Sequence, residues 1–527
     1  LEKNYSKLNQ KIKFSVIGKK SLLFIPIICL AALIIRFHYA PFGLPLTLDA
    51  FGGYFLYALD ISILGHFPNY SPSQSGWGEF LSLFFTSFHS DNFIDYMDLQ
   101  RTISVILSGI TVIPIYFICK KFFNSYYSLI GALIFAFDPR IIINSTLGIS
   151  EPLYILAITL GILLFLNTNK KIIYSSFGFF AWATIIRPEG QFWFVVFSIV
   201  YFLRFRKNRK DCILFLVALA IFLLVLSPFV YQRIQCCGDD AIVGRIITEI
   251  SNYSNSGELD NHDKINTYGP NWINGIKLFG WSIIPILVIF VPIGLIPILK
   301  QLKYPNFVLV LTPIVLAIPI IYSVSIAPDT RYVYPLFPIF CIISLFGIRW
   351  MVDKFHNKKL VLSLIIIGII IGSMTFLDIK KIDFTEDKEA YQITKLIIND
   401  VKGVNEGPKL IKYIPIVEME NKWPIKETTG EYIKEYSIKT ISTTNYNSLN
   451  ELIISQKSNL THLIVDEDKN NPKYIVDILN NEKKYPFLIK IFDSNENQFN
   501  YNVKIFKIDY KIFEKYIEND IIIRTMK

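Results

Sequence analysis

The sequence predicts a polytopic α-helical membrane protein of about eleven spans with an extracytoplasmic α/β domain at its C-terminal end. Three observations lead there. Of the 527 residues, 52% are hydrophobic and only 18% are charged, against about 25% charged in soluble domains, and the mean hydropathy is +0.40. Apolar runs near the length that crosses a bilayer recur as far as about residue 377. Lysine and arginine gather in clusters between those runs. The clustering also argues against a nucleic-acid partner, because the net charge of +10 is spread over loops rather than concentrated on one face.

The expected spans are 21–38, 102–119, 126–143, 152–167, 172–187, 191–203, 212–230, 278–299, 306–326, 332–350 and 359–377. Lys3, Lys7, Lys11, Lys13, Lys19 and Lys20 precede or open the first. The loop 39–100 contains no Lys or Arg, only acids: Asp49, Asp60, Glu79, Asp91, Asp95 and Asp98. Then follow Lys120-Lys121, Lys170-Lys171, the run RFRKNRK at 204–210, Lys300 with Lys303, and Arg349 with Lys354, Lys358 and Lys359. Threading the spans in order puts every cluster on one side, which the positive-inside rule makes cytoplasmic. The expectation is a multi-pass plasma-membrane protein with its N-terminus inside. Loop 39–100 and the C-terminal tail are then outside. The first apolar run has no small-residue cleavage site behind it and reads as an uncleaved anchor.

Within loop 39–100, FGGYFLYALDISIL and WGEFLSLFFTSF read as amphipathic segments on the membrane surface. From about 378 the chain turns rich in Lys, Asn, Asp and Glu, and short apolar runs alternate between strand-like and helix-like patterns (KTIST, NSLNELIISQ, THLIVDE, KYIVDILNN, FLIKIFDS, NVKIFKIDY). The domain expectation is a membrane domain over 1–377 and an α/β domain over 378–527. The tail has no phosphate-binding glycine loop. Its acid run Asp466-Glu467-Asp468 reads as a solvated strand end rather than a metal site. Most of the six cysteines lie in apolar runs, and the vicinal pair Cys236-Cys237 has no metal-type spacing. Asn69, Asn252 and Asn459 head N-x-S/T triplets expected outside.

Ionisable residues gather where spans meet the outer face. Asp49 follows the first span, and Glu151 lies in STLGISEPLY. Arg187 and Glu189 lie in IIRPEGQFW, and Asp329, Arg331 and Tyr332 in SIAPDTRYVYPLFP. One such acid is ordinarily a helix cap. Several at one depth suggest a shared polar cavity, because ionisable groups at membrane depth are costly and usually mark a functional path. A carboxylate there can take a proton from a hydroxyl or hold a metal. A guanidinium can grip a phosphate through paired N–H groups.

In that order and sidedness, LDAFGGYFLYA, GWGEF, GISEPLY, IIRPEG and TRYVYPLFP resemble the type C glycosyltransferase superfamily. It includes protein O-mannosyltransferases, aminoarabinose transferases and the catalytic subunit of oligosaccharyltransferase. The resemblance covers about residues 20–377. It implies transfer of a sugar from a polyprenyl-phosphate or polyprenyl-diphosphate carrier to a protein, glycan or lipid acceptor outside the cytoplasm. It makes Asp49 the first-loop acid, a general base or base-positioning group. Glu79 and Glu151 become further cavity acids, with Arg331 and Arg187 at the donor phosphate. A divalent ion such as Mg or Mn, if used, would fall to Asp49 and Glu151. Ala50 stands where many relatives carry a second acid, and the tail lacks a WWDYG motif, which argues against transfer of whole glycans to Asn sequons. The competing expectation is a transporter or flippase for a polar or lipid-linked substrate. Transporters commonly show internal repeats and helices broken at the midplane, and no repeat is evident here.

Overall fold

The computed structural model describes residues 19–72, 74–206, 208–238, 240, 272–302, 304–326, 329–381, 383–425, 428–429, 438–443, 445–457, 459–468 and 471–525. The basic segment 1–18, Lys303 and Asn252 lie outside the described residues.

Each expected span is helical. In chain order the helices are α1 (Lys19–Tyr39), α2 (Leu48–Ala50), α3 (Leu56–Leu64), α4 (Ser75–Phe85), α5 (Phe93–Ile110), α6 (Val112–Cys119), α7 (Ser125–Ala136) and α8 (Pro139–Ser145). They continue as α9 (Glu151–Phe165), α10 (Lys170–Ile186), α11 (Gly190–Phe205), α12 (Arg209–Cys237), α13 (Trp272–Ser282), α14 (Leu287–Leu299), α15 (Asn306–Ile326), α16 (Phe337–Val352) and α17 (Lys358–Ile379). Among the described residues, five helical stretches are long and apolar enough to cross a membrane, or up to seven if each of two bent pairs is one span. The count by length is therefore lower than eleven. Glu151–Phe165 and Gly190–Phe205 are apolar but short, below the ~20 residues that cross a bilayer without tilt or thinning.

The two bends have local causes. Between α7 and α8 the direction changes by 53°. Pro139 opens α8, and the Asp138 carboxylate accepts from Arg140 N and Ile141 N. The break frees carbonyls of α7, and buried Arg36 of α1 covers one, donating to Ala136 O at 2.9 Å and also to Ser108 Oγ at 2.9 Å. Between α13 and α14 the change is 94°, with Pro285 in the break. Arg140 donates there to Trp281 O (3.1 Å) and Ile284 O (3.3 Å). Two arginines thus satisfy backbone groups that broken helices leave bare. Helices α14 and α16 approach closely because Gly294 and Gly347 face each other. A Cβ at either would collide with a carbonyl oxygen, of Ile343 or Phe290.

By contacts the chain divides into two units. The first holds 1–40, 52–87 and 99–381; the second holds 41–51, 88–98 and 382–527. Loop 39–100 is therefore shared between units, and its Asp49 segment goes with residues 382–527.

In the second unit, α18 (Thr385–Ile397), α19 (Ile414–Asn421), α20 (Leu449–Ser455), α21 (Lys473–Asn480) and α22 (Tyr510–Thr525) alternate with β1 (Gly403–Asn405), β2 (Lys439–Ile441), β3 (His462–Asp466), β4 (Leu488–Asp493) and β5 (Val503–Ile508). Strand order is β3-β5-β4, antiparallel, with β1 and β2 a parallel pair. Asn405 of β1 ties the pair to β3 by accepting from Ile464 N (2.6 Å) and donating to Ile464 O (2.8 Å). The core comprises Leu452, Leu463, Val465, Ile478, Phe487 and Phe506 with their neighbours. Asp466 is buried, not solvated as its run suggested. It accepts from Tyr501 Oη (2.5 Å) and Asn471 Nδ2 (2.6 Å), so burial of the strand end outweighs the local charge. All six cysteines are free thiols. Asn69 is exposed and Asn459 half-buried.

Candidate active site

Three turns of the first unit converge. Glu151 is the first residue of α9, followed by Pro152 in the first turn, where a proline costs no hydrogen bond and an acid suits the helix dipole. The turn before it is held from both sides. Trp77 Nε1 (3.0 Å) and Gln100 Nε2 (2.6 Å) both donate to Gly148 O. Ser150 Oγ meets Tyr54 Oη at 3.2 Å.

Arg187 caps the C-terminus of α10 in an extended conformation, φ −147° and ψ 130°, as a residue before proline prefers. Pro188 stops the helix and Glu189 opens α11. Gly190 then packs so tightly on the end of α10 that a Cβ would collide with the Ala183–Thr184 backbone. Sequence punctuation alone thus fixes the Arg187–Glu189 turn. The third turn is set by Asp329, whose carboxylate accepts from Arg331 N (2.8 Å) and Arg331 Nε (2.5 Å), at the start of the 3₁₀ turn Thr330–Leu336.

At the centre, Arg187 Nη1 donates to Glu151 Oε1 at 2.5 Å. Arg331 Nη1 stands 4.0 Å from the same oxygen, and Arg187 Nε lies 3.4 Å from Glu189 Oε2. The Arg187 guanidinium sits over the Tyr332 ring, 5.4 Å from its centroid. Exposure rises outward: the Glu151 and Arg187 side chains are 1% and 8% exposed, those of Arg331 and Asp329 29% and 32%. Glu151 Oε2 is buried with no hydrogen-bond partner. A carboxylate oxygen so placed is costly unless something occupies the adjoining space. The cleft over this cluster has an apolar wall of Leu316, Pro319 and Ile320 from α15 and Trp193 from α11.

Six expected residues therefore meet: Glu151, Arg187, Glu189, Asp329, Arg331 and Tyr332. Glu79 stands apart on α4, half-buried, accepting from Ser75 Oγ at 2.5 Å. Burial pushes its carboxyl above the ordinary range against the Ser75 bond, which lowers it. Asp49 belongs to the other unit. It lies in the first turn of α2, with Thr47 at the cap position, and it is exposed rather than enclosed by the aromatic residues around it in sequence. From α2 the chain runs through the π-turn Phe51–Phe55 straight into α3, and such turns are frequent at functional sites. The cleft also contains residues the sequence reading missed, Tyr154 and Trp193. Each sits one turn beyond an identified acid, Glu151 and Glu189, on the same helix face.

As for a divalent ion, Glu151 offers one bare oxygen. Among the described residues no group of three or more His, Cys, Asp or Glu side chains could hold a metal.

No protein-family model matches the sequence, and no curated protein matches it. Solved structures do. The oligosaccharyltransferase of Archaeoglobus fulgidus in complex with Zn and sulfate is 11% identical, over 91% of this chain and 72% of that chain, with TM-score 0.55. The same enzyme, AglB, with an inhibitory peptide and a dolichol-phosphate is 10% identical over 85% and 69%, with TM-score 0.53. ArnT from Cupriavidus metallidurans bound to undecaprenyl phosphate is 10% identical over 92% and 98%, with TM-score 0.50. At such identities the likeness is one of fold, and the fold is that of the type C membrane glycosyltransferases.

Proposed function

We propose that the protein is a glycosyltransferase that moves a sugar from a polyprenyl-phosphate- or polyprenyl-diphosphate-linked donor to an acceptor on the outer face of the membrane. The observation that carries this reading is the Glu151–Arg187–Arg331 cluster. Two guanidiniums flank one buried carboxylate beneath a cleft with an apolar wall. That combination suits an isoprenoid chain along α15 with its phosphate at Arg331, the more open arginine. The neighbours' dolichol-phosphate and undecaprenyl phosphate are ligands of the same chemistry.

In the reaction, the acceptor hydroxyl oxygen attacks the anomeric carbon and its proton passes to a carboxylate base, the role that the sequence resemblance gives to Asp49. The bond from that carbon to the phosphate oxygen breaks, and the phosphate leaves with the electron pair. Arg331 stabilises the charge that gathers there. Attack opposite the leaving group inverts the anomeric centre. Incubating purified protein with radiolabelled lipid-linked sugars and hydroxyl acceptors tests this. Label that never leaves the lipid, across donors and acceptors, overturns it.

Arg331→Lys keeps the charge but loses the planar fork. A charge-assisted hydrogen bond contributes ~1.5–3 kcal/mol, so donor-phosphate affinity should fall about 10- to 100-fold by titration. Unchanged affinity in Arg331→Ala removes this role.

The proposed topology keeps eleven crossings, with the short helices tilted or the bilayer thinned, the N-terminus inside and the 378–527 α/β domain outside. On a cysteine-free background, an impermeant thiol reagent should label Asn495→Cys in intact cells and spare Thr168→Cys. The reverse pattern inverts the topology.

The transporter or flippase reading is favoured by one observation, the pairs broken by 53° and 94°, since transporters bind substrate at broken helices. It predicts movement of intact donor lipid between leaflets without a glycosylated product.

A further inference from the structure

The second unit contains a pocket of about 310 Å³, open on one side and remote in sequence from the arginine cluster. Its lining is polar: Asp91 before α5, Lys395 of α18, Glu420 and Asn421 at the end of α19, with the Trp423 and Phe93 rings behind. The groups are held in place. Glu420 accepts from Lys395 Nζ at 2.6 Å and Tyr391 Oη at 2.5 Å. The Trp423 ring is fixed by Phe93 and Tyr96, whose centroids lie 5.3 and 5.1 Å away. Neighbouring Asn92 is spent as a cap, accepting from Ile94 N and donating to Asp95. Among the described residues, neither the Asp91 carboxylate nor the Trp423 indole N–H has a protein partner.

The chemistry narrows the ligand. Two carboxylates against one ammonium, itself paired, disfavour a phosphate or any other anion. No aliphatic wall offers a home to a lipid chain. A peptide strand would ask for main-chain donors and acceptors along an edge, whereas the pocket offers side chains. What remains is a neutral molecule rich in hydroxyls, each able to donate and accept, with an apolar C–H face for an aromatic ring.

We propose that this pocket is a saccharide-binding site in which one pyranose packs on the Trp423 ring and hydrogen-bonds through its hydroxyls to Asp91, Asn421 and Glu420. The saccharide is a glycan acceptor, and that assignment rests on the transferase reading, although the binding itself does not.

The test uses the full chain in detergent, without donor, and saturation-transfer NMR with mannotriose, N-acetylchitobiose and maltotriose as probes, beside an Asn-Ala-Thr peptide. At least one glycan should receive saturation. Trp423→Ala should weaken its binding at least about 10-fold, and Trp423→Phe should keep part of it. If Trp423→Ala unfolds early, Asp91→Asn and Asn421→Ala alter exposed side chains and carry the test, each with a several-fold loss. Binding by none of the glycans overturns the site. So does binding that these variants leave unchanged, or peptide binding that no glycan competes away. Pocket-dependent glycan binding in a protein that transfers no sugar keeps the site and removes the transferase reading.

Discussion

Asp49→Asn is expected to lower sugar transfer by about 10²- to 10⁴-fold while folding and donor binding persist, the range that a positioned general base contributes. The substitution keeps size and most hydrogen bonding but removes the negative charge and the basicity. The competing account makes Asp49 a helix cap, and Asn caps as well as Asp, so under that account turnover survives. Thr47 holds the cap position of α2, and Asp49 sits inside the first turn. It is exposed. Measuring turnover and thermal stability of the same preparation decides the matter. A stable, donor-binding Asp49→Asn protein with near-normal turnover would end the catalytic role and most of the mechanism with it.

The convergence of Glu151, Arg187 and Arg331 was legible because each lies at punctuation the chain cannot avoid. Pro152 opens α9, Pro188 ends α10 and Asp329 starts the 3₁₀ turn. The charge clusters on alternate loops lead to the expectation that these span ends share a face. The alternation in the tail was legible for a similar reason, since period-two and helical runs separate cleanly there. What escaped depends on tertiary partners. The sharp break between α13 and α14 is closed by Arg140, some 140 residues away in sequence. Nothing around Pro285 announces that its freed carbonyls would find a guanidinium. Similarly, Asp466 looked like part of a solvated acid run, because Tyr501 and Asn471 reach it only through the folded sheet. Tyr154 and Trp193 could have been found by stepping one helical turn on from each acid.

The Glu151–Arg187 pair yields the other large effect, and it separates structure from chemistry. Both side chains are nearly fully buried and meet at 2.5 Å. Removing one member of such a pair leaves an uncompensated charge and costs about 3–5 kcal/mol. Glu151→Leu and Arg187→Leu should each lower the thermal unfolding temperature sharply. The double variant removes one charge of each sign and replaces both with apolar volume, a change that is often near neutral. It should therefore be more stable than either single variant, with a favourable coupling well above the few tenths of a kcal/mol seen for independent sites. Simple additivity of the two losses would show that the contact does not hold the turns together, Arg331 and Glu189 having taken over. Activity should not follow stability back. The bare Glu151 Oε2 and the guanidinium behind Arg331 are both gone in the double variant, so transfer should stay depressed in a protein that folds well. If turnover returned along with stability, the Glu151–Arg187 pair would be a fastening between turns, and Arg331 would hold the donor phosphate without it.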